Sequence, residues 1–319
     1  MTVIVTGAAG TIGREVCLKL VEMKVGRLVL VDIAETPLFW LERELLKAGA
    51  ASGAPLELET VITSVANRDG IVRLFHKEMP QAVIHCAALK HVAMCERNVC
   101  EAILTNLWGS WVVVENAAVV GAKAVLVSTD KAVEPTTIMG QTKHLAERVA
   151  AGFSNTSIVR LVNIRGSNGS VIPVFERQIA SGGPVTVTDP AAARFFMDAS
   201  EAASMIIGEI VGPPSALPRL VVPPELKAEL IMDLAKRMIA EAGAEIAITF
   251  TGLTAGEKLR ERVMTAAEFA QVARGTNWIT PTRPSWEIGG AVQNLMAIVG
   301  QGDADGARDG LRQIVDRGF

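Results

Sequence analysis

Three glycines near the start of the chain have the spacing that a dinucleotide-binding loop requires. Gly7, Gly10 and Gly13 follow the β-rich run Val3–Thr6 and open a segment with helical periodicity. In such a loop the first glycine allows a tight turn, the second lets the backbone approach a pyrophosphate, and the third lets helix and strand pack closely. The N–H groups at the helix start would face the phosphates. The loop therefore predicts a nicotinamide dinucleotide site, although the glycines alone would also fit an ordinary turn.

An acidic residue at the end of the second predicted strand bears on which dinucleotide binds. Asp32 closes the run Leu28–Asp32, about where a carboxylate accepts hydrogen bonds from the adenosine ribose hydroxyls. The same charge would repel a 2′-phosphate, so the sequence favours NAD over NADP. A simple helix-start or loop aspartate is the alternative interpretation.

The composition excludes several classes of protein. Among 319 residues the 31 basic and 34 acidic side chains nearly cancel, which argues against a nucleic-acid partner. The sequence has no apolar run of the roughly 20 residues that span a bilayer. Its four histidines are dispersed and its cysteines form no CxxC pair, so no metal site is predicted. We expect a cytoplasmic protein without a membrane span.

Short apolar runs alternate with helical patterns over the first 165 residues. Predicted strands follow the first one at Leu28–Asp32, Leu58–Ile62, Ala82–Cys86, Ala124–Ser128 and Ile158–Val162, and predicted helices follow Gly13 and cover Leu38–Lys47, Ala102–Val120 and Gly140–Ala151. Strands this apolar, separated by helices, predict an α/β fold with a Rossmann-like, doubly wound parallel sheet. Ligands of such sheets bind at the carboxyl ends of the strands.

The rest of the chain predicts a smaller C-terminal substrate lobe. Residues 166–195 are rich in Gly, Pro, Ser and Thr, and a predicted helix at Met197–Val211 returns to the sheet. We therefore assign residues 1–165 and about 196–212 to an NAD-binding Rossmann domain. Residues 166–195 and 213–319 are assigned to the smaller lobe, which would bind the substrate.

A set of separated motifs over roughly residues 1–265 carries a family resemblance. The GxxGxxG spacing is typical of the short-chain dehydrogenase/reductase superfamily. The narrower motifs are His85–Val92, Thr105-Asn106, Ser128–Val133, Pro135, Met139-Gly140, Thr142-Lys143, Gly166–Pro173, Gly182–Thr188, Arg194–Met197 and Gly256–Lys258. Together they resemble the polysaccharide-biosynthesis branch of the extended short-chain dehydrogenases. These relatives are nucleotide-sugar 4,6-dehydratases that chiefly act on UDP-N-acetylglucosamine.

The chain contains no tyrosine, although ordinary members of the superfamily use a Tyr-x-x-x-Lys pair. Lys143 is present, and Met139 stands four residues before it, where it can carry no proton. The membrane-attached dehydratases of this branch, which retain the configuration at carbon 5, are similar in having methionine there. The resemblance thus points to that subgroup, of which the chain matches only the catalytic domain.

The resemblance implies a hydro-lyase reaction, most specifically the 4,6-dehydration of UDP-N-acetylglucosamine to a 4-keto-6-deoxy sugar for surface polysaccharide or glycan synthesis. It assigns catalysis to Thr129, Asp130, Lys131, Met139 and Lys143. A protonated Asp130 would be the acid, and Lys131 the base at carbon 5. Thr129 would contact the carbon-4 hydroxyl, and Lys143 would hold the nicotinamide ribose. Alternatively, Asp130 and Lys131 only cap the following loop.

Further side chains are expected to contact the cofactor and the substrate. The predicted cofactor contacts are Gly7, Ala9, Gly10, Thr11, Ile12, Gly13, Asp32, Ser64, Val65, Ala87, Ala88, Lys90, Asn106 and Lys143. The predicted substrate contacts are Lys90, His91, Asn163, Ser170, Val171, Pro173, Phe175, Thr186, Arg194, Glu257 and Lys258. Arg194 suits phosphate oxygens, Glu257 suits nucleotide ribose hydroxyls, and surface ion pairs or loop hydrogen bonds are the simpler alternatives.

Three other functions compete with dehydration. A nucleotide-sugar epimerase on the same scaffold would not need the acid and base at residues 130 and 131. A non-catalytic dinucleotide sensor would explain the missing tyrosine, and a plain reductase would not need so specific a substrate lobe. Relatives of this kind assemble as homo-oligomers, so we expect pairing through the two-helix face of the main domain.

Overall fold

The apolar runs of the sequence form the strands of one eight-stranded sheet in the computed structural model, which describes residues 1–53, 56–212, 215–224, 227–254, 256–272 and 277–318. The strands in chain order are β1 (Thr2–Thr6), β2 (Arg27–Asp32), β3 (Glu57–Ile62), β4 (Ala82–His85), β5 (Lys123–Thr129), β6 (Thr156–Leu161), β7 (Asn163–Ile164), β8 (Val185–Val187), β9 (Ala193–Met197), β10 (Arg219–Val221), β11 (Ala228–Leu230), β12 (Ile248–Phe250) and β13 (Trp278–Ile279). The main sheet has the order β13-β10-β6-β5-β4-β1-β2-β3. Its pairings are parallel except for the antiparallel pair of β10 and β13.

The direction of winding reverses between β1 and β4. The chain runs outward from β1 through β2 to β3, then returns to β4 and continues to β5 and β6 on the other side. Such a reversal leaves a crevice at the carboxyl ends of β1 and β4, where open α/β sheets bind ligands. The predicted doubly wound sheet is therefore confirmed.

Helices cover both faces of this sheet. They are α1 (Thr11–Glu22), α2 (Glu35–Ser52), α3 (Arg68–Glu78), α4 (Val92–Arg97), α5 (Val99–Ala102), α6 (Gly109–Val119), α7 (Ile138–Ala150), α8 (Val171–Ala180), α9 (Ala199–Val211), α10 (Ile231–Glu241), α11 (Ala266–Val272), α12 (Glu287–Gly300) and α13 (Ala304–Arg317). One apolar core packs α1, α2 and α9 on one face, and a second packs α3, α6 and α7 on the other. Helix α3 escaped prediction because it buries only Ile71, Leu74 and Phe75.

The predicted helix Ala102–Val120 is interrupted. A π-helical segment, Ile103–Trp108, joins α5 to α6. Such segments are rare and are frequent near functional sites. The buried face of this one carries Asn106, whose contacts are described below.

The substrate lobe has its own small core. Strands β7, β9 and β11 form one three-stranded sheet, and β8 pairs with β12. Phe175 of α8 and Leu234 of α10 pack there against Val185 and Val187. The segment 166–195, which is rich in turn-forming residues, thus still contributes α8, β8 and β9.

The last part of the chain corrects the predicted division into domains. Residues 213–319 were assigned to the lobe, but β10 and β13 extend the main sheet. Helices α12 and α13 bury Val292, Leu295 and Leu311 in the core that α6 and α7 share.

The C-terminal helices also cover part of the helical surface of the main domain. Helices α12 and α13 lie against the π-helical segment, α5 and α7. Gly289 of α12 approaches Trp111 so closely that an added Cβ would lie 3.3 Å from its ring. Any pairing at this face would involve the outer side of α12 and α13.

No helix in the described ranges is both long enough and apolar enough to cross a membrane.

Candidate active site

The backbone at the β1–α1 junction packs so closely that two of its glycines, Gly7 in the loop and Gly13 in the first turns of α1, cannot carry a side chain. Gly7 has φ +66°, and a Cβ on it would lie 2.5 Å from the backbone nitrogen of Ala87. A Cβ on Gly13 would lie 2.1 Å from the carbonyl oxygen of Gly7. The loop thus packs against the tip of β4 and against itself. It has room for a ligand only on its outer side.

The start of α1 leaves amide groups for such a ligand. Helix α1 begins with Thr11 and Ile12, and its N-cap is Gly10, which has no side chain to accept a hydrogen bond. The first turn also contains no acidic residue. Unsatisfied N–H groups at a helix start are suited to phosphate oxygens. The loop therefore fits the pyrophosphate of a dinucleotide.

Asp32 has a structural task in addition to the predicted one. Its Oδ2 accepts a hydrogen bond from the backbone N–H of Ala9 at 3.0 Å, and its Oδ1 accepts one from Ala34 at 3.0 Å. The carboxylate thereby fixes the glycine loop. Each oxygen keeps a further acceptor position, so contact with ribose hydroxyls stays a prediction.

The adenine end of the predicted site is formed by the tips of β2 and β3. Ser64 Oγ accepts a hydrogen bond from the N–H of Ala66 at 3.2 Å, and Val65 is buried beneath it. Ile33 and Ile62 are 68% and 60% exposed at these tips. Exposed aliphatic side chains at this position could flank an adenine ring. Sequence reasoning missed both because isoleucines beside a strand look like core residues.

Thr129, Asp130 and Lys131 form one connected group at the end of β5. Asp130 is fully buried, and its Oδ1 accepts hydrogen bonds from Thr129 Oγ1 and from Lys131 Nζ, both at 2.9 Å. Lys131 Nζ also lies 3.4 Å from Asn163 Oδ1. Asp130 Oδ2 is buried and has no hydrogen-bond partner among the described residues. A buried carboxylate oxygen without a partner is costly, so this atom is a candidate contact for a substrate hydroxyl.

This geometry changes two expectations. Asp130 was expected as a carboxyl held protonated by an apolar, partly closed site, and the structure adds a direct pairing of this buried carboxyl with Lys131. The cap of the following loop, for which Asp130 and Lys131 were the alternative candidates, is made by Thr129. Its Oγ1 accepts a hydrogen bond from the backbone N–H of Lys131 at 3.4 Å. The carboxyl and amine of residues 130 and 131 thus contact each other rather than the loop backbone.

Helix α7 brings Lys143 and Met139 to the same region. Lys143 is buried, its Nζ donates to the carbonyl of Val127 at 2.6 Å, and burial lowers its pKa to about 8. Met139 is also buried. Burial lowers the pKa of neighbouring His85 to about 3, and this ring contacts Thr6 Oγ1 and Ser110 Oγ. His85 is therefore a neutral structural residue.

The lowered pKa of Lys143 gives a stability prediction. An unfolded lysine has a pKa of about 10.4, so between that value and about 8 the unfolded chain binds more protons than the folded one. Stability should therefore rise with pH across this window, by roughly 3 kcal/mol if the whole shift is realised. Urea unfolding at both ends of the window should show that rise in the parent and its loss in Lys143→Met.

A matched control for this experiment is Lys47→Met, which replaces an exposed lysine of α2. It should keep the full pH dependence. An identical pH dependence in Lys143→Met and in the parent would contradict the assigned burial of a charged amine.

Two of the predicted contacts have other roles. Asn106 Oδ1 accepts from Leu89 N at 2.7 Å, and its Nδ2 donates to Leu89 O at 2.9 Å and to Thr142 Oγ1 at 3.1 Å. Its amide therefore holds the loop after β4, and its Oδ1 keeps one further acceptor position. Phe175 lies in the lobe core with 1% exposure, so its ring packs there against other apolar side chains.

The loop after β4 meets the substrate lobe. Ala87 packs on Gly7, while Ala88, Lys90 and His91 are exposed. A Cβ on Gly169 would lie 2.6 Å from the ring of His91, so this glycine permits the contact. Beyond it, the partly exposed residues Ser170, Val171 and Pro173 form the start of α8.

The remaining predicted substrate contacts form pairs within the chain. Arg194 Nη2 lies 3.2 Å from Glu257 Oε1, and its Nη1 donates to the carbonyls of Ala193 and Leu259. Lys258 Nζ donates to Val133 O at 2.8 Å. Roles in phosphate or ribose binding would need these pairs to be shared or exchanged.

Two further side chains of this set are already hydrogen-bonded. Thr186 Oγ1 accepts from Gln178 Nε2 at 2.7 Å. Asn163, beside Lys131, donates to Phe195 O at 2.9 Å. A side chain of α8 therefore orients Thr186, and a backbone carbonyl of β9 orients Asn163.

Sequence reasoning missed a buried charge network behind the site. Arg160 on β6 contacts Glu147 of α7 at 2.7 Å and Glu268 of α11 at 2.9 Å. Ser128 Oγ, one residue before Thr129, donates to Glu147 at 2.6 Å. An arginine inside the otherwise apolar run of β6, which is buried at every position, was a signal for a partnered charge, but the partners lie in remote segments.

Comparisons with known proteins agree with this architecture. A family model described as polysaccharide biosynthesis protein matches residues 3–280. The capsular polysaccharide biosynthesis protein CapD of Staphylococcus aureus is 39% identical over 277 residues, which are 84% of this chain and 45% of CapD. The chain thus spans less than half of the length of that relative. The UDP-glucose 4-epimerase of Rickettsia canadensis is 30% identical over 288 residues, 85% of this chain and 79% of the epimerase.

A solved structure with a similar fold is that of Pen from Bacillus thuringiensis. It is 31% identical in sequence, has a TM-score of 0.76, and the match covers 85% of each chain. This similarity of fold agrees with the predicted fold class.

Proposed function

Because the chain belongs to the polysaccharide biosynthesis protein family, we propose that it is an NAD-dependent 4,6-dehydratase of a nucleotide-activated hexose, with UDP-N-acetylglucosamine as substrate. The observation that carries this proposal is the hydrogen-bonded group of Thr129, Asp130 and Lys131. Elimination of water needs an acid for the departing hydroxyl and a base for the carbon-bound proton. A carboxyl and an amine 2.9 Å apart supply both.

The residues at the crevice fit the cofactor. Gly7 and Gly13 leave the backbone close to the loop surface, the amides at the start of α1 are free to bind pyrophosphate, and Asp32 can accept from ribose hydroxyls. When bound, NAD would accept a hydride from sugar carbon 4 and return it to carbon 6. The carboxylate of Asp32 favours NAD over NADP.

The proton balance of the site follows from the pair of residues 130 and 131. As an ion pair they hold one proton on Lys131, and its transfer along the 2.9 Å hydrogen bond gives a neutral carboxyl beside a neutral amine. Burial favours the neutral form when a substrate displaces water. Asp130 can then give its proton to the carbon-6 hydroxyl, which leaves as water, while Lys131 takes the proton from carbon 5. The ion pair is thereby restored.

Over the whole cycle two protons leave the sugar and two are used. The carbon-4 hydroxyl loses its proton when the hydride leaves, while Asp130 already carries the one proton of the pair, so this proton passes by way of Thr129 Oγ1, which lies beside Asp130 Oδ1, to solvent. After elimination Lys131 returns its proton to carbon 5, and the pair then takes up one proton from solvent to replace the one that left in water. This assigns Thr129 the contact that Met139 cannot make, because a thioether carries no proton.

The second candidate is a nucleotide-sugar epimerase, which the identity to the Rickettsia canadensis epimerase favours. Epimerisation at carbon 4 needs only the removal and return of hydride with one proton. It gives no task to a buried acid–base pair such as Asp130 and Lys131. The dehydratase explains this pair and the epimerase does not.

One assay separates the candidates. The protein is incubated with UDP-N-acetylglucosamine and a substoichiometric amount of NAD⁺, and the sugar nucleotide is followed by mass. Loss of one water per turnover without net NADH supports dehydration. An unchanged mass with altered stereochemistry identifies an epimerase. The absence of turnover with sugar nucleotides, despite tight binding of NAD, identifies a sensor.

A further inference from the structure

The first turn of α7 is a junction between the elements that carry the proposed catalytic residues. A Cβ on Gly140 would lie 2.5 Å from the carbonyl oxygen of Lys131, so the helix directly contacts the backbone of the proposed base. On another side, Thr136 Oγ1 donates to Gly256 O at 2.7 Å. The position of this turn therefore sets the distance between Lys131, the loop at Gly256 and the side chains of α7.

A carboxylate from α4 binds the start of this helix. Glu96 Oε1 accepts a hydrogen bond from the backbone N–H of Ile138, the first residue of α7, at 2.7 Å. Thr137 Oγ1 accepts the N–H of Gly140 at 3.1 Å. Two of the amides that a helix start leaves unsatisfied thus have partners. The negative charge of Glu96 also favours the positive end of the helix dipole.

Glu96 is itself held by the C-terminal helix. Arg308 of α13 donates from Nη1 to Glu96 Oε2 at 2.6 Å and from Nη2 to the Glu96 backbone carbonyl at 2.7 Å. The side chain of Glu96 is 30% exposed, so water can compete for it when the arginine is absent. Two donors on one planar group fix the orientation of their acceptor as well as its charge.

We propose that Arg308 and Glu96 are positioning residues for the active site. Through Glu96, helix α13 holds the first turn of α7 against the backbone of Lys131 and the loop at Gly256. The hairpin of α12 and α13 is then a support of the catalytic group as well as a cover of the core. Its effect on turnover rests on the proposed dehydratase function, while the contact itself can be measured without turnover.

Arg308→Met tests the contact, and Arg312→Met, which replaces an exposed arginine on the same helix, is the matched control. The amide of Ile138 should exchange its hydrogen faster in Arg308→Met than in the parent and in the control. The kcat for water loss should fall roughly tenfold, since small displacements of reacting groups are costly, while KM and NAD binding stay unchanged. Arg308→Lys should recover part of kcat. Unchanged exchange at Ile138 in Arg308→Met overturns the proposal.

A double-mutant cycle with Glu96→Ala decides whether Arg308 acts through Glu96. If it does, adding Arg308→Met to Glu96→Ala changes neither exchange nor kcat further, whereas additive losses contradict it. If Arg308→Met does not fold, Glu96→Gln takes its place, because the glutamine keeps an oxygen that can accept from the Ile138 amide. This amide should then exchange its hydrogen at a rate between those of the parent and Glu96→Ala. Exchange at the parental rate would count against the proposal. If the parent itself does not dehydrate the sugar, the proposed function fails, and the exchange of Ile138 still decides the contact.

Discussion

Asp130→Asn should lower the rate of water loss by roughly 100-fold or more, because a carboxamide cannot donate the proton that the departing hydroxyl needs. The replacement keeps the shape of the side chain and an oxygen that can accept from Thr129 Oγ1 and Lys131 Nζ. Binding of NAD should therefore be unchanged. Because hydride removal from carbon 4 precedes elimination, the variant should also accumulate the absorbance of reduced nicotinamide, which the parent does not.

The matched control for this variant is Asp316→Asn, which changes an exposed aspartate of α13 in the same chemical way. It should turn over at the parental rate. Normal water loss by Asp130→Asn would show that another group is the acid. Loss of NAD binding together with turnover would instead indicate a structural role for Asp130.

Gly13→Ala should weaken NAD binding by roughly 100-fold or more, since this glycine permits the close packing on which a dinucleotide loop depends. The added Cβ would lie 2.1 Å from the carbonyl oxygen of Gly7 and 2.8 Å from Cα of Ala8. Both are backbone atoms of the loop, so the loop itself must move. The measurement is the rise of the thermal midpoint on addition of NAD, which reports binding to the folded state.

Gly208→Ala is the control, because a Cβ on this α9 glycine meets nothing within 4 Å. It should keep the full rise of the midpoint with NAD. The midpoint without NAD shows whether Gly13→Ala still folds. A folded Gly13→Ala protein with the parental NAD-dependent rise would contradict the assignment of the loop to the cofactor.

Much of the fold could be predicted because its signals are local. An apolar run bounded by turns indicates a buried strand wherever it later pairs, and the spacing of Gly7, Gly10 and Gly13 indicates a loop of known shape. The rules for parallel connections then favour a doubly wound sheet, while the strand order itself comes from the structure. Helix α12 also had a local signal, since Ile288, Val292 and Leu295 recur at helical spacing. No local signal indicated which element this helix would pack against.

The candidate site was less predictable because its contacts join remote segments. Arg308 and Glu96 are separated by 212 positions, and no pattern in the sequence of either helix indicates that the two helices are in contact. Asn106 lies within a motif and Phe175 follows one, and both were expected to contact ligands, but both are buried. Motif position thus predicted the region of the candidate site. Only the packing showed which side chains line it and which hold it together.

The most direct test of the central claim uses UDP-N-acetylglucosamine that carries deuterium at carbon 4. The account predicts a product that has lost one water and carries the deuterium at carbon 6, because the hydride taken from carbon 4 returns there. The NAD should be unchanged at the end of the reaction. A product of unchanged mass with deuterium still at carbon 4 would contradict the account and identify an epimerase.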